Sequence, residues 1–128
     1  MSERIATDRA PRALGPYAQA VVAGDLVFCA GQIGLDPATG KLVAGGVAAE
    51  TGRACENLAA VLAAAGFGLA DVVKTTVWVA DLADFATVNE VYGRYFVAPH
   101  PARATVQVAA LPAGARVEIE AVASRSAR

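Results

Sequence analysis

A chain of 128 residues is the length of one domain, able to bury about two thirds of the surface its unfolded form exposes. Its 55% hydrophobic and 18% charged content is that of a compact globule with unusually much apolar surface, while a net charge of −1 and a pI near 5.7 supply no field to draw a polyanion or an anionic membrane. The nine arginines and two lysines are scattered, with no basic run and no interleaved aromatics, so no nucleic-acid partner is expected.

The first sixteen residues are polar and end in Leu14-Gly15-Pro16, a breaker pair that predicts regular structure only beyond it. The opening stretch through Arg9 carries both signs of charge and no apolar segment, unlike a secretory signal. The longest apolar stretch, Leu58 to Ala70, is interrupted by Gly66 and Gly68 and falls short of the ~20 residues of a spanning helix. The expectation is a soluble, cytoplasmic protein with no membrane partner. Cys29 and Cys55 then read as small core hydrophobes rather than a disulfide.

Tyr17 to Val22 reads as a strand, Ala23-Gly24-Asp25 as a tight turn, and Leu26 to Ala30 as a second strand, apolar on both parities as if both sheet faces were covered. Gly31-Gln32-Ile33-Gly34 is expected to break that strand, and Asp36 to Lys41 is a turn-rich loop. From Val47 to Ala65 the positions Ala54, Leu58, Val61, Leu62 and Ala65 recur at helical spacing, with Arg53, Glu56 and Asn57 on the other side and Gly66 as the stop. Asp71 to Val79 is β-branched on both parities and predicts a central strand. Asp81 caps a second helix whose stripe is Phe85, Val88, Tyr92, Tyr95 and Phe96, with Asn89 at its edge.

After the Pro-flanked His100, the stretch Pro101 to Ala109 alternates polar Arg103, Thr105 and Gln107 with apolar Ala104, Val106 and Val108, the period of a half-buried strand. Leu111 to Ala115 is a loop, and Arg116 to Ser124 is a last strand with apolar odd positions. The predicted order is ββαβαββ, an α+β fold. Two helices cover one sheet face, and Arg103, Thr105, Glu118 and Glu120 are expected on the other. That second face needs a cover, which predicts a homo-oligomer.

Candidate chemistries narrow by elimination. One histidine without a nucleophile motif makes no hydrolase triad. Two unclustered cysteines and that histidine make no metal-ligand spacing, so no metal is expected. Gly66-Phe67-Gly68 precedes a strand and lacks the third glycine of a dinucleotide fingerprint, so no nucleotide cofactor is implied. Arg103, Glu118, Glu120, Tyr17 and Asn89 remain. Each has an ordinary structural role available, but together they offer an anion fork, a carboxylate for proton handling and two hydrogen-bonding side chains. That set suits addition of water to a small carboxylate-bearing electrophile.

The ordered motifs Gly15-Pro16-Tyr17-Ala18-Gln19-Ala20, Gly24-Asp25-Leu26-Val27-Phe28, Ala30-Gly31-Gln32-Ile33, Asp36-Pro37-Ala38-Thr39-Gly40, Val73-Lys74-Thr75-Thr76-Val77, Phe85-Ala86-Thr87-Val88-Asn89, Pro101-Ala102-Arg103 and Val117-Glu118-Ile119-Glu120-Ala121 resemble the RidA/YjgF family of imine deaminases from about residue 12 onward. The resemblance implies a chorismate-mutase-like fold, a mixed sheet backed by two helices, assembled as a homotrimer with ligand clefts between subunits. It also implies that the last strand inserts antiparallel within the sheet. By the same resemblance, Arg103 clamps the substrate carboxylate and Glu118 positions the attacking water. Tyr17 and Asn89 line the cleft from the neighbouring subunit, and Gly31 and Thr105 approach the ligand through their backbone. Ala30 stands where a serine is frequent, and Thr105 where many close members have cysteine.

The implied reaction is cofactor-free hydrolysis of enamine/imine intermediates such as 2-aminoacrylate/2-iminopropanoate and 2-iminobutanoate to 2-oxo acids and ammonia. Other readings are another enamine-acting enzyme of the family, a non-catalytic small-acid binding or holdase-like protein, and the family's older endoribonuclease and translation-inhibitor labels.

Overall fold

Among residues 2–127, which a computed structural model describes, the strands and main helices run β1 (Ser2–Ile5), β2 (Ala20–Ala23), β3 (Leu26–Gln32), α1 (Gly46–Ala64), β4 (Val72–Val79), α2 (Phe85–Tyr95), β5 (Ala102–Gln107) and β6 (Val117–Ser124). Met1 and Arg128, which the single-domain expectation includes, lie outside the described residues. The strands form one sheet in the order β1-β2-β3-β6-β4-β5. Every neighbouring pair is antiparallel except β4 with β5. The architecture is the expected α+β arrangement, with the last strand inserted between β3 and β4.

The expectation for residues 1 to 16 is corrected at their start, where Ser2–Ile5 pairs along β2 from Ser2↔Ala23 to Ile5↔Ala20. An edge strand needs backbone partners on one side only. Three of its four side chains are exposed and Ile5 alone is buried, so no apolar alternation marks it. β2 itself starts at Ala20 rather than Tyr17. A second correction is that β3 does not break at Gly31. Between the pairs Cys29↔Ala121 and Gln32↔Ile119, β3 advances three residues while β6 advances two, so the glycine sits in a bulge and the strand continues.

Both helices pack on one sheet face, where alternate residues of the central strands point inward. Val27 and Cys29 of β3, Val77 and Val79 of β4, and Val117, Ile119, Ala121 and Ala123 of β6 are buried together with Ala54, Leu58, Val61 and Leu62 of α1. Each fully buried Val or Leu contributes about 1.5–3 kcal/mol, so this apolar layer is the main source of stability. The cysteines are free and buried, and burial pushes the Cys29 and Cys55 thiols up to about 12, leaving them protonated.

α1 also carries polar groups into this layer. Asn57, expected on the solvated side with Arg53 and Glu56, is fully buried. Its Nδ2 donates to the carbonyls of Ile33 (3.2 Å) and Leu35 (2.9 Å), and its Oδ1 accepts from Arg53 Nε at 3.0 Å. Glu50, also buried, accepts from the backbone N–H of Arg116 at 2.8 Å. Close approach makes this possible: a Cβ on Gly34 would lie 2.7 Å from the Glu50 Cα. The helix is thereby tied to the loop after β3 and to the entry of β6. Asn57→Leu keeps the volume but leaves those carbonyls unpaired, and is expected to lower the unfolding free energy by about 2–3 kcal/mol. A urea midpoint equal to that of the unmutated protein would show that the Ile33–Leu35 loop is held otherwise.

Candidate active site

The sheet face away from the helices carries one group of candidate residues. β6 alternates, so Glu118, Glu120 and Val122 point to this open face while Val117, Ile119 and Ala121 are buried opposite. The β3 bulge brings Gly31 against Glu118 closely enough that a Cβ there would overlap the carboxylate. A larger residue there would push the Glu118 carboxylate out of this position. Tyr17, in the loop ahead of β2 and 56% exposed, joins Leu14, Ala30, Gly31, Ile33, Pro112 and Glu118 around a cleft of about 670 Å³. No described residue hydrogen-bonds or ion-pairs with the Glu118 carboxylate. Burial first, and the Glu120 charge second, raise its carboxyl above the ordinary range, as suits a proton acceptor.

A second group lies on the other side of the sheet, under α2. Arg103 is registered beside Thr75, and Thr105 beside Val77, both of which are buried on the helix face. The Arg103 guanidinium carbon sits 4.9 Å from the Tyr92 ring centroid and 5.7 Å from that of Phe85. Among the described residues no carboxylate reaches salt-bridge distance of Arg103. Buried side-chain oxygens of two further candidates, Asn89 Oδ1 and Thr105 Oγ1, also have no hydrogen-bond partner. Buried polar atoms are rarely left so, and these two lie on α2 and β5, the elements that carry the Arg103 side chain and the rings against it.

Arg103 and Thr105 are therefore not on the face that carries Glu118 and Glu120, which corrects the one-face expectation. On β4, Thr75 neighbours Arg103 and Trp78 neighbours Glu118. Those two positions are three apart and so on opposite faces. β5 turns its polar residues toward α2 and leaves the apolar ones out, with Val106 45% exposed. The six residues to which the resemblance gives roles separate into Tyr17, Gly31 and Glu118 on one side and Asn89, Arg103 and Thr105 on the other. Thr75, Phe85 and Tyr92, which surround Arg103, were not among the candidates. The helical stripe held Phe85 and Tyr92 as core residues, and only strand register puts Thr75 next to Arg103.

A family profile described as Endoribonuclease L-PSP matches residues 7–125. The chain belongs to this family, the RidA/YjgF family of the sequence resemblance. A human relative named 2-iminobutanoate/2-iminopropanoate deaminase is 56% identical over 119 residues, spanning 93% of this chain and 87% of its own. Among solved structures, RidA from the Antarctic bacterium Psychrobacter superposes with a TM-score of 0.92 at 48% identity, covering 95% of this chain and 98% of its own. E. coli TdcF with bound serine superposes with a TM-score of 0.90 at 46% identity, covering 96% and 98%. Of the two departures from the family pattern, Ala30 removes a hydroxyl from the open-face cleft. Thr105 instead supplies a hydroxyl that is buried and unpaired.

The raised Glu118 carboxyl has a cost to folding. Unfolded, such a group titrates near 4.5, and folded it keeps its proton to higher pH, so the folded state binds more protons between the two points. The stability it contributes is complete below pH 4.5 and is lost as pH rises through the folded value. Glu118→Gln is expected to melt at a higher temperature than the unmutated protein at neutral pH and at the same temperature below about pH 4. Scanning calorimetry across that range would contradict this by showing no gain at neutral pH.

Proposed function

We propose that the protein hydrolyses reactive 2-imino acids and their enamine tautomers, such as 2-aminoacrylate/2-iminopropanoate and 2-iminobutanoate, to 2-oxo acids and ammonia, in clefts between the subunits of a homotrimer. The observation that carries this reading is the pair of unpartnered charges, Arg103 on the helix side of the sheet and Glu118 on the open side. One chain cannot bring them together; a second copy can. The open face favours such a copy, because Leu26, Phe28 and Val106 are 36%, 47% and 45% exposed on it. The human relative's name supplies the substrate class, and the serine bound to E. coli TdcF is a small molecule bearing the carboxylate that Arg103 would hold.

In this reading the guanidinium pairs the substrate carboxylate through two parallel N–H···O bonds and so fixes the imine carbon. Glu118 takes a proton from a water molecule as its oxygen bonds to that carbon, and the C=N electron pair moves to nitrogen. That proton passes to nitrogen and gives a carbinolamine. A second proton then moves from its hydroxyl to nitrogen by way of Glu118, and as the C–N bond breaks an oxygen electron pair closes to C=O, releasing ammonia and the 2-oxo acid. Nitrogen is exchanged for oxygen with no change in oxidation state. Asn89 and Thr105, on the helix side of the sheet with Arg103, offer an unpaired amide oxygen and an unpaired hydroxyl, and Tyr17 borders the Glu118 side.

RNA cleavage, a second reading, is favoured by names, those of the family profile and of some solved relatives, and by no feature of the site. Arg103→Ala assayed in parallel on RNA and on a dehydratase-generated imine separates the two. Loss of RNA cleavage with imine hydrolysis untouched would reverse their order.

Arg103→Lys keeps the charge but not the fork, and is expected to lose at least ~10-fold in kcat/KM and to bind pyruvate poorly. Glu118→Gln should bind pyruvate normally while kcat falls ~100-fold, as for a lost proton acceptor. A dehydratase-coupled assay with calorimetric titration reads both, and an Arg103→Lys protein indistinguishable from the unmutated one would remove the carboxylate clamp.

The shared cleft has its own test. Arg103→Ala and Glu118→Ala chains are each expected to be inactive, but equal amounts denatured and refolded together should regain about a quarter of normal activity, since random assembly pairs an intact arginine with an intact glutamate in that share of clefts. A mixture as inactive as its components would place both residues in one chain's site.

A further inference from the structure

Arg103 raises a question that the proposed reaction leaves open: what holds a guanidinium still when no carboxylate pairs with it. A side chain with this many rotatable bonds loses much entropy when fixed, and a salt bridge would fix it only by occupying the donors the substrate needs. The structure shows another way. The guanidinium carbon lies 4.9 Å from the Tyr92 ring centroid and 5.7 Å from the Phe85 ring centroid. Aromatic faces attract the planar cation while leaving the N–H groups at its edge unused.

The Tyr92 ring is itself fixed at two points. Its hydroxyl lies 2.7 Å from Thr75 Oγ1, and it stacks on Phe96 with ring centroids 4.5 Å apart. Thr75 is fully buried and is the residue registered directly beside Arg103 on the neighbouring parallel strand. The phenol is thus tethered to the backbone position next to the arginine it supports. Burial raises the Tyr92 hydroxyl's pKa more than Thr75 and Arg103 lower it, so the ring stays neutral and does not become an anion that would take up the guanidinium's donors.

We infer that Phe85 and Tyr92, with Thr75 as tether, are positioning residues that present the Arg103 fork to the substrate carboxylate. This rests on the preceding reading of Arg103 as the carboxylate clamp. The inference predicts a specific deficit: discrimination in favour of a carboxylate should weaken, while other contacts to the ligand persist.

The test compares pyruvate with its uncharged amide, pyruvamide, by calorimetric titration, alongside kcat and KM on an enzymatically generated imine. The proteins are the unmutated one, Phe85→Leu, Tyr92→Leu and Arg103→Lys. Tyr92→Leu is expected to weaken pyruvate binding about 10-fold and Phe85→Leu about threefold, with pyruvamide binding unchanged and the loss falling on KM rather than kcat. Phe85 is 39% exposed, so Phe85→Leu decides the matter alone if Tyr92→Leu does not fold. Folded ring variants that keep the full preference for pyruvate while Arg103→Lys loses it would overturn the inference and leave the clamp standing. If Arg103→Lys keeps the preference as well, Arg103 is not the clamp, and the inference falls with that reading.

Discussion

The insertion of β6 between β3 and β4 is the constraint on which the rest of the structure depends. It hydrogen-bonds along both edges, so its register is set twice. Because the pleat sends successive side chains to opposite faces, the same eight residues deliver Val117, Ile119, Ala121 and Ala123 to the core and Glu118 and Glu120 to the open face. A slip of one residue would bury two carboxylates and expose the core row, which makes this register strongly specified. Core and chemistry are two sides of one strand.

The sheet that this strand completes also keeps the two principal charged groups apart. Arg103 and Glu118 both lack counter-charges in the described chain, and each is partly desolvated, an arrangement that costs folding free energy. In most folds a partly buried arginine and a partly buried glutamate find each other or another partner. Here a layer of backbone prevents it. The proposed cleft, completed by a ligand and by another copy, would relieve a tension that the single chain leaves in place. The cation–π cradle around Arg103 and the close fit of Gly31 against Glu118 each hold a side chain in place without neutralising it.

Support for both arrangements comes from polar residues on the inner faces of the helices. Asn57 holds the carbonyls of Ile33 and Leu35 just beyond the bulge, and Glu50 holds the N–H of Arg116 two residues ahead of Glu118. On α2, Tyr92 anchors to Thr75 next to Arg103. Each of these contacts joins a helix to the loop or strand that carries a candidate residue, so helix packing and site geometry move together. Rigid support of this kind matters where a misplacement of an ångström costs rate.

How much of this was readable before the fold was known follows from the range of the forces involved. Periodicity and turn chemistry are local, and they located β3, β4, α1, α2 and β6 to within a few residues. The ordered motifs named the family and the six candidate residues. β1 was not readable, because an edge strand with polar side chains is made by backbone pairing to β2 and leaves no apolar pattern. The burial of Asn57 was not readable either, because its partners Ile33 and Leu35 lie more than twenty residues away. The alternation of β5 was visible, but not which of its faces meets the helices. That was decided by the parallel pairing with β4, which sets Arg103 beside Thr75 and under Tyr92. The sequence by itself determined which residue types the site has to work with. Only the tertiary structure placed Arg103 and Glu118 on opposite faces, because sidedness depends on strand order and register, and both are long-range.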